Sequence, residues 1–337
     1  MTASGPPDDP RHHTSTAGTA TQVLLVYSTH FDLDPPDVAA LRDRFPAVRF
    51  VERDAAEVNA DDLAAAEVLI GWPTADLGAA ARLRWLQLPS VGVDRQLRES
   101  GFPPGVAVTN ARGVFAVPAA EHALALTLAL HRQLPLHVRQ MATRTWRRNP
   151  RCRELTGSTV LVVGLGDIGE AVARRFAALG CRVLGVRRVP SGTTPSFLAQ
   201  VCGPEAMAEL ASEADVVVLA LPSTPATKRV FGRTELAALH SDAVLVNVGR
   251  GDAVDEAALI EALAAGRIGG AGLDVTEVEP LAPDSPLWTF DNVLITSHSV
   301  GVSPTRSRRR AELFADNLDR FLSGRALRNL VDPARGY

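Results

Sequence analysis

Lysine is almost missing from this chain of 337 residues. Lys228 is the only one, and the rest of the basic charge is arginine scattered among acids. Lys and Arg number 35 against 38 Asp and Glu, a formal net charge of −3, so no broad positive field marks out a nucleic-acid or acidic-membrane partner. Cysteine is scarce as well. Cys152, Cys181 and Cys202 fit neither a metal-ligand spacing nor a disulfide framework, which reads as reduced thiols in a cytoplasmic protein with no metal centre. No apolar run reaches the roughly 18 residues of a membrane span. Residues 1–20 lack the basic and apolar regions of a secretory signal. Rich in Pro, Asp, Ser, Thr and Gly, they read as a disordered tail in which His12 and His13 are solvated.

What is present is core-forming material. Hydrophobic residues make up 46% and charged residues 22%, ordinary for a globular protein. At roughly 150 residues per domain, the length suggests two domains. Apolar, β-branched runs at 23–27, 48–51, 68–70, 85–88 and 106–108 read as strands. Helical patterns at 37–45, 61–66 and 77–81 lie among them. This alternation predicts a first, small parallel sheet covered on both faces. Residues 118–136 read as one long helix, apolar nearly all round, and 139–154 as an irregular Arg-rich arm. Beyond it the alternation resumes, with six strands predicted between 159 and 296, then an amphipathic helix at 303–322 and a tail from 327.

The most informative stretch opens that second part. Four apolar residues, Val160 to Val163, precede Gly164-Leu165-Gly166-Asp167-Ile168-Gly169, and a helical pattern follows from Glu170. Strand, glycine turn and helix in this order suit a dinucleotide. The first glycine permits the turn, the second lets backbone N–H groups approach a pyrophosphate, and the third lets helix and strand pack closely. The N–H groups of the helix N-terminus then face the phosphates, with Asp167 and Ile168 of the turn beside them as further cofactor-binding candidates. The predicted fold is α/β with two doubly wound parallel sheets. A flavodoxin-like substrate domain (21–112 plus 299–337) holds an inserted Rossmann dinucleotide-binding domain (113–298), and the cleft between them is the expected small-molecule site.

In such sheets ligands bind beyond the carboxyl ends of the strands. The segments just past each predicted strand therefore form the candidate set: Pro89 to Gly92, Asn110, Arg187 and Arg188, Pro222 to Thr224, Asn247 to Arg250, Asp274 to Glu279, and Ser297-His298. Arg250, between Gly249 and Gly251, is a fixed cation able to hold a carboxylate through two parallel hydrogen bonds. His298 is suited to proton transfer near neutral pH. A carboxylate beside it would raise its pKa, and both Glu277 and Glu279 are candidates.

Taken together, these residues resemble the D-isomer-specific 2-hydroxyacid dehydrogenase family, over about residues 83–332. The resemblance rests on Leu88-Pro-Ser-Val-Gly92-Val-Asp94, Asn110-Ala-Arg-Gly113 with Ala120-Glu-His122, the glycine turn, Leu221-Pro-Ser-Thr-Pro-Ala-Thr227, Val248-Gly-Arg250-Gly251, Gly272-Leu-Asp274-Val with Glu279-Pro280, and Pro286-Leu-Trp288 through Asn292-Val-Leu-Ile-Thr-Ser-His298. It implies an Arg–Glu–His constellation, and the family's spacing falls on Glu279 rather than Glu277. It further implies that Arg250 grips the carboxylate and carbonyl oxygen of a 2-oxo acid. His298 exchanges the proton at that oxygen, and Glu279 orients and charges His298. Backbone N–H groups of Val91 and Gly92 hold the carboxylate, Asp274 meets the nicotinamide carboxamide, and Pro222, Thr227 and Val248 lie along the cofactor.

Three departures from the family pattern stand out. Ser297 occupies the position where Pro usually precedes the histidine, and Thr276 the position where Phe is common. Neither change removes a proton or a charge. The third is Arg187, followed by Arg188, where NAD-using members carry an acid for the ribose 2′-hydroxyl. Two arginines would bind a 2′-phosphate that an acid would repel, so NADP(H) is expected in preference to NAD(H). Trp72 is placed either on the substrate pocket or in the core, and Trp288 and His122 are read as structural. The 118–136 helix and the 144–148 arm resemble the family's dimer contact and imply a homodimer. The expected reaction is NADPH-dependent reduction of a glyoxylate- or hydroxypyruvate-class acid, with a bulkier aliphatic or aromatic 2-oxo acid as the alternative. 3-Phosphoglycerate is set lower, because the chain stops soon after 322 and shows no phosphate cluster. A dinucleotide-sensing corepressor is the non-enzymatic alternative.

Overall fold

The structure, a computed structural model, describes residues 20–72, 77–94, 102–190 and 192–333. The expected N-terminal tail, apart from Ala20, lies outside these residues. Strands β1 (Gln22–Tyr27), β2 (Arg49–Asp54), β3 (Val68–Gly71), β4 (Trp85–Gln87) and β5 (Ala107–Thr109) form a parallel sheet in the order β2-β1-β3-β4-β5. Helices α1 (Pro35–Arg44) and α2 (Ala60–Ala65) belong to it. Period-two alternation divides its residues between the faces. Val23 and Leu25 pack with Val38 and Leu41 of α1, while Leu24 and Val26 pack with Leu63 of α2. The helix expected at 77–81 is a single 3-10 turn, Leu77–Ala79.

Two helices follow, α3 (Ala116–His131) and α4 (Leu134–Ala142), where the sequence suggested one helix and an irregular arm. Pro135 is the physical cause. It has no N–H for the carbonyl of His131, and its ring would collide with that carbonyl in a continuing helix. Gln133 turns to a φ of 57°, and the His131 carbonyl accepts the N–H of Arg153 instead, at 2.8 Å.

The second sheet holds β6 (Thr159–Val163), β7 (Arg182–Val186), β8 (Gln200–Cys202), β9 (Val216–Leu219), β10 (Val244–Asn247), β11 (Gly270–Leu273) and β12 (Val293–Ile295). Its order is β12-β11-β10-β9-β6-β7-β8, all parallel, so seven strands replace the expected six. The addition, β8, is a three-residue edge strand too short to show a pattern. Helices α5 (Asp167–Ala178), α6 (Met207–Ser212), α7 (Arg233–Ala238) and α8 (Glu256–Ala264) cover it with α3. Val160 and Val162 face α3 and α5 through Leu126 and Phe176, whereas Leu161 and Val163 face α6 to α8 through Leu210, Leu236 and Leu259.

The last helix, α9 (Arg306–Leu322), returns to the first sheet. Phe314 is fully buried there, edge-on to Phe31 with ring centroids 6.0 Å apart. The segment expected to be a tail is partly structured. Asn110 N donates to Asn329 O, Val331 N donates to Val108 O, and Leu330 pairs antiparallel with Thr109, which covers the β5 edge. Among the described residues no helix is long and apolar enough to cross a membrane.

Candidate active site

The glycine turn directly follows β6. Gly164 adopts a φ of +97°, and a Cβ there would lie 2.6 Å from the Ala220 carbonyl oxygen at the end of β9. Gly169 is equally constrained, since a Cβ would sit 1.8 Å from Gly164 O. Gly166 differs: nothing lies within 4 Å of its would-be Cβ. It is also the N-cap of α5, so the helix starts at Asp167, three residues before the sequence suggested. The first-turn N–H groups, Asp167 and Ile168 included, have no acceptor within the helix and border that open space. A pyrophosphate suits both the space and the dipole. Asp167 Oδ2 also accepts the N–H of Gly113 at 2.7 Å, which ties the turn to the segment leading into α3.

Parallel register brings further candidates to the same sheet edge. Val163 of β6 pairs with Val186 of β7, and Gly164 N donates to Val186 O at 2.9 Å. Arg187 and Arg188 therefore emerge beside the glycine turn. On the other side, Thr227 Oγ1 donates to Pro222 O at 2.6 Å and accepts from Thr224 N, shaping the loop past β9. Val248, past β10, is buried.

The two glycines flanking Arg250 serve packing. A Cβ on Gly249 would lie 2.6 Å from Leu221 N, and one on Gly251 would lie 1.8 Å from Thr276 O. The loops after β9, β10 and β11 thus touch backbone to backbone, and this fixes where Arg250 leaves the sheet. Its guanidinium reaches the first sheet. Nε donates to Asp94 Oδ1 at 3.2 Å, Nη1 donates to Gly249 O at 2.9 Å, and Nη2 lies against Gly92. The Gly92 loop is itself held by Asn110 Nδ2 donating to Val91 O and Ser90 Oγ donating to Gly92 O.

His298 follows β12 with a φ of 49°, and its Nδ1 lies 2.8 Å from Glu279 Oε2. The Glu279 hydrogen bond is the largest influence on the imidazole and lifts its pKa above the ordinary 6.5, against burial and the Arg250 charge. For Glu279, burial acts to raise the pKa, but the His298 hydrogen bond and nearby positive charge outweigh it and the net shift is downward. Glu277 is turned elsewhere, 2.7 Å from Arg229. Asp274 is 1% exposed, and its carboxylate accepts from Thr296 Oγ1, Ser299 N, Ser299 Oγ and Val300 N. Trp72 packs against the cores on both faces of the first sheet.

The structure thus gathers His298 with Glu279, sets Arg250 against Gly92, and leaves Glu277 outside. Sequence reasoning missed Asp94. Its one signal was its place two residues beyond Gly92, in a loop already expected to hold the substrate carboxylate.

A doubly wound sheet with a glycine turn, and an acid–imidazole pair beside an arginine at its carboxyl edge, is the arrangement of a dinucleotide-binding fold with a candidate acid–base site. The profile of the D-isomer specific 2-hydroxyacid dehydrogenase NAD binding domain matches residues 124–300. A glyoxylate reductase of Korarchaeum cryptofilum is 35% identical over 259 residues, 75% of this chain and 77% of that protein. Among solved structures, a D-isomer specific 2-hydroxyacid dehydrogenase from Xanthobacter autotrophicus, in complex with NADPH and MES, is 31% identical with a TM-score of 0.83, covering 94% of this chain and 100% of that one. An NADPH-dependent glyoxylate/hydroxypyruvate reductase from Sinorhizobium meliloti, with NADP and sulfate, is 27% identical with a TM-score of 0.79 over the same shares. This chain belongs to the D-isomer specific 2-hydroxyacid dehydrogenase family. It spans about half the length of several curated relatives, 48% and 58% of two D-3-phosphoglycerate dehydrogenases.

Proposed function

We propose that this chain is an NADPH-dependent reductase of small 2-oxo acids of the glyoxylate and hydroxypyruvate class, giving D-2-hydroxy acids reversibly. The observation that carries this reading is the 2.8 Å His298–Glu279 pair at the edge of one sheet, with Arg250 reaching the Gly92 loop of the other. When bound, the nicotinamide supplies a hydride to the carbonyl carbon. The chain's own residues do the rest. Arg250, held through Nε by Asp94, offers its remaining N–H groups to the carboxylate and carbonyl oxygen. Val91 and Gly92 N–H groups take the other carboxylate oxygen. His298, kept protonated by Glu279, gives its proton to the carbonyl oxygen as negative charge develops there.

Gly164, Gly166, Asp167, Ile168 and Gly169 would hold the pyrophosphate, while Pro222, Thr227 and Val248 line the adjoining edge. Arg187 and Arg188 favour a 2′-phosphate, hence NADP(H) over NAD(H). NADPH and NADP in the two solved relatives support this. Small 2-oxo acids are favoured by the glyoxylate reductase relatives. The substrate unit would be residues 21–112 with 299–337, closing on a cofactor unit of 113–298. Exposed Leu134, Val138, Met141 and Trp146 on α4 and the arm beyond it supply an apolar face for a homodimer. Free thiols at all three cysteines suit the cytoplasm. The test is NADPH absorbance with glyoxylate, hydroxypyruvate and phenylpyruvate. Faster oxidation with the first two supports the reading, a preference for phenylpyruvate points to bulkier acids, and tight NADPH binding without oxidation points to a sensor.

A further inference from the structure

Helix α3 reaches the exit of β12 through a run of close contacts. Gly270 and Gly272 on β11 leave room for it, since a Cβ on either would meet Leu130 or Leu126 at 3.4 and 3.0 Å. One helical turn before Leu126, on the same face, stands His122. Its Nε2 lies 2.9 Å from Thr296 Oγ1 and 3.5 Å from Asp274 Oδ1. Thr296 donates its own hydroxyl proton to Asp274 Oδ1 at 2.6 Å. The hydroxyl therefore faces His122 as an acceptor, and Nε2 carries the proton.

Asp274 binds the rest of the turn. Its Oδ1 also accepts Ser299 N at 2.9 Å, its Oδ2 accepts Val300 N at 3.0 Å, and its backbone carbonyl accepts His298 N at 2.8 Å. These bonds bracket His298, whose left-handed backbone is costly for a residue with a side chain and persists only where its surroundings impose it. We propose that His122 is a positioning residue: by donating to Thr296 it orients the hydroxyl that, with Asp274, clamps residues 296–300 and so sets the His298 ring against Glu279. His122 touches neither reacting atom. It acts from α3 on the spacing of the acid–base pair.

The proposal rests on the reductase reading for its kinetic readout only, because ring titration can be followed without turnover. The charged groups that face His298 are Glu279, Arg250 and Asp274. Loosening the clamp weakens the Glu279 contact first, so the His298 pKa falls. The experiment follows the His298 ring by NMR across pH, assigned with H298Q, in wild type, H122L, H122Q, T296V and the H122L/T296V double variant. Thermal midpoints and NADPH oxidation with glyoxylate are recorded alongside.

In H122L and T296V the His298 titration is expected to move to lower pH, towards the ordinary imidazole range. The kcat should fall roughly tenfold, with KM for NADPH within about twofold. H122Q, whose amide N–H can occupy the place of Nε2, restores both. The double variant is no worse than either single one, because the two changes break one chain of bonds. An unchanged His298 titration in H122L overturns the proposal, as does an H122Q protein as impaired as H122L. If wild type oxidises NADPH with no 2-oxo acid, the reductase reading fails, and the titration alone decides on His122.

Discussion

A Cβ on residue 92 would lie 1.6 Å from Nη2 of Arg250, so the guanidinium rests directly on the Gly92 backbone, one residue from each sheet. Gly92→Ala must push the guanidinium off this seat. A charge-assisted hydrogen bond contributes about 1.5–3 kcal/mol, so kcat/KM for the 2-oxo acid should drop by about 10- to 100-fold. NADPH affinity should hold, because the glycine turn is untouched. Steady-state kinetics with a fluorescence titration of NADPH separates the two effects.

The His298–Glu279 pair predicts a direction for pH. On the proposed mechanism the imidazolium is the acid, so kcat for reduction should fall as pH rises through the raised His298 pKa. In Glu279→Gln that limb should move to lower pH. Stability follows the same pair. The contribution of His298 is fully present below its ordinary 6.5 and is lost as pH rises through the raised folded value. That of Glu279 is present above its ordinary 4.5 and is lost as pH falls through the lowered folded value. Urea midpoints for wild type and E279Q, measured across pH, should converge at both extremes.

Arg187 and Arg188 make the cofactor preference testable. The double variant R187A/R188A should weaken NADPH binding by about 10- to 100-fold, as expected for lost charge-assisted bonds to a phosphate, and should leave NADH binding within about twofold. Parallel losses for both dinucleotides would assign the arginines to the fold instead.

The return of α9 to the first sheet predicts a stability effect far from the cleft. Phe314, on that helix, is fully buried against Phe31. Phe314→Ala should reduce the unfolding free energy by about 3–5 kcal/mol. A loss below about 1 kcal/mol would mean that α9 contributes little to the first sheet's core.

Much of this was legible in the sequence, where the physics is local. Short, β-branched apolar runs such as Val160 to Val163 read as buried strands, and the spacing of Gly164, Gly166 and Gly169 announces a tight turn into a helix. Position after a strand was enough to nominate Arg250 and His298. What stayed hidden depends on contacts distant in sequence or on too few residues. Three residues at 200–202 carry no periodicity. The α3–α4 break turns on the single residue Pro135, within a stretch otherwise continuous in helical pattern. The residues by themselves left Glu277 and Glu279 open, and only the family spacing pointed to Glu279; the Arg229 ion pair that holds Glu277 away and the Asp94–Arg250 contact join segments distant in sequence. His122 looked like any histidine on an apolar helix until the glycines of β11 brought α3 down on Thr296.

The most direct test compares wild type with His298→Gln, following NADPH absorbance with glyoxylate and hydroxypyruvate while measuring NADPH affinity separately. A general acid contributes about 10²- to 10⁴-fold. Wild type should therefore oxidise NADPH, and H298Q should lose kcat by that order at unchanged NADPH affinity. Oxidation by H298Q at the wild-type rate, or no oxidation by wild type with either acid, would contradict the account.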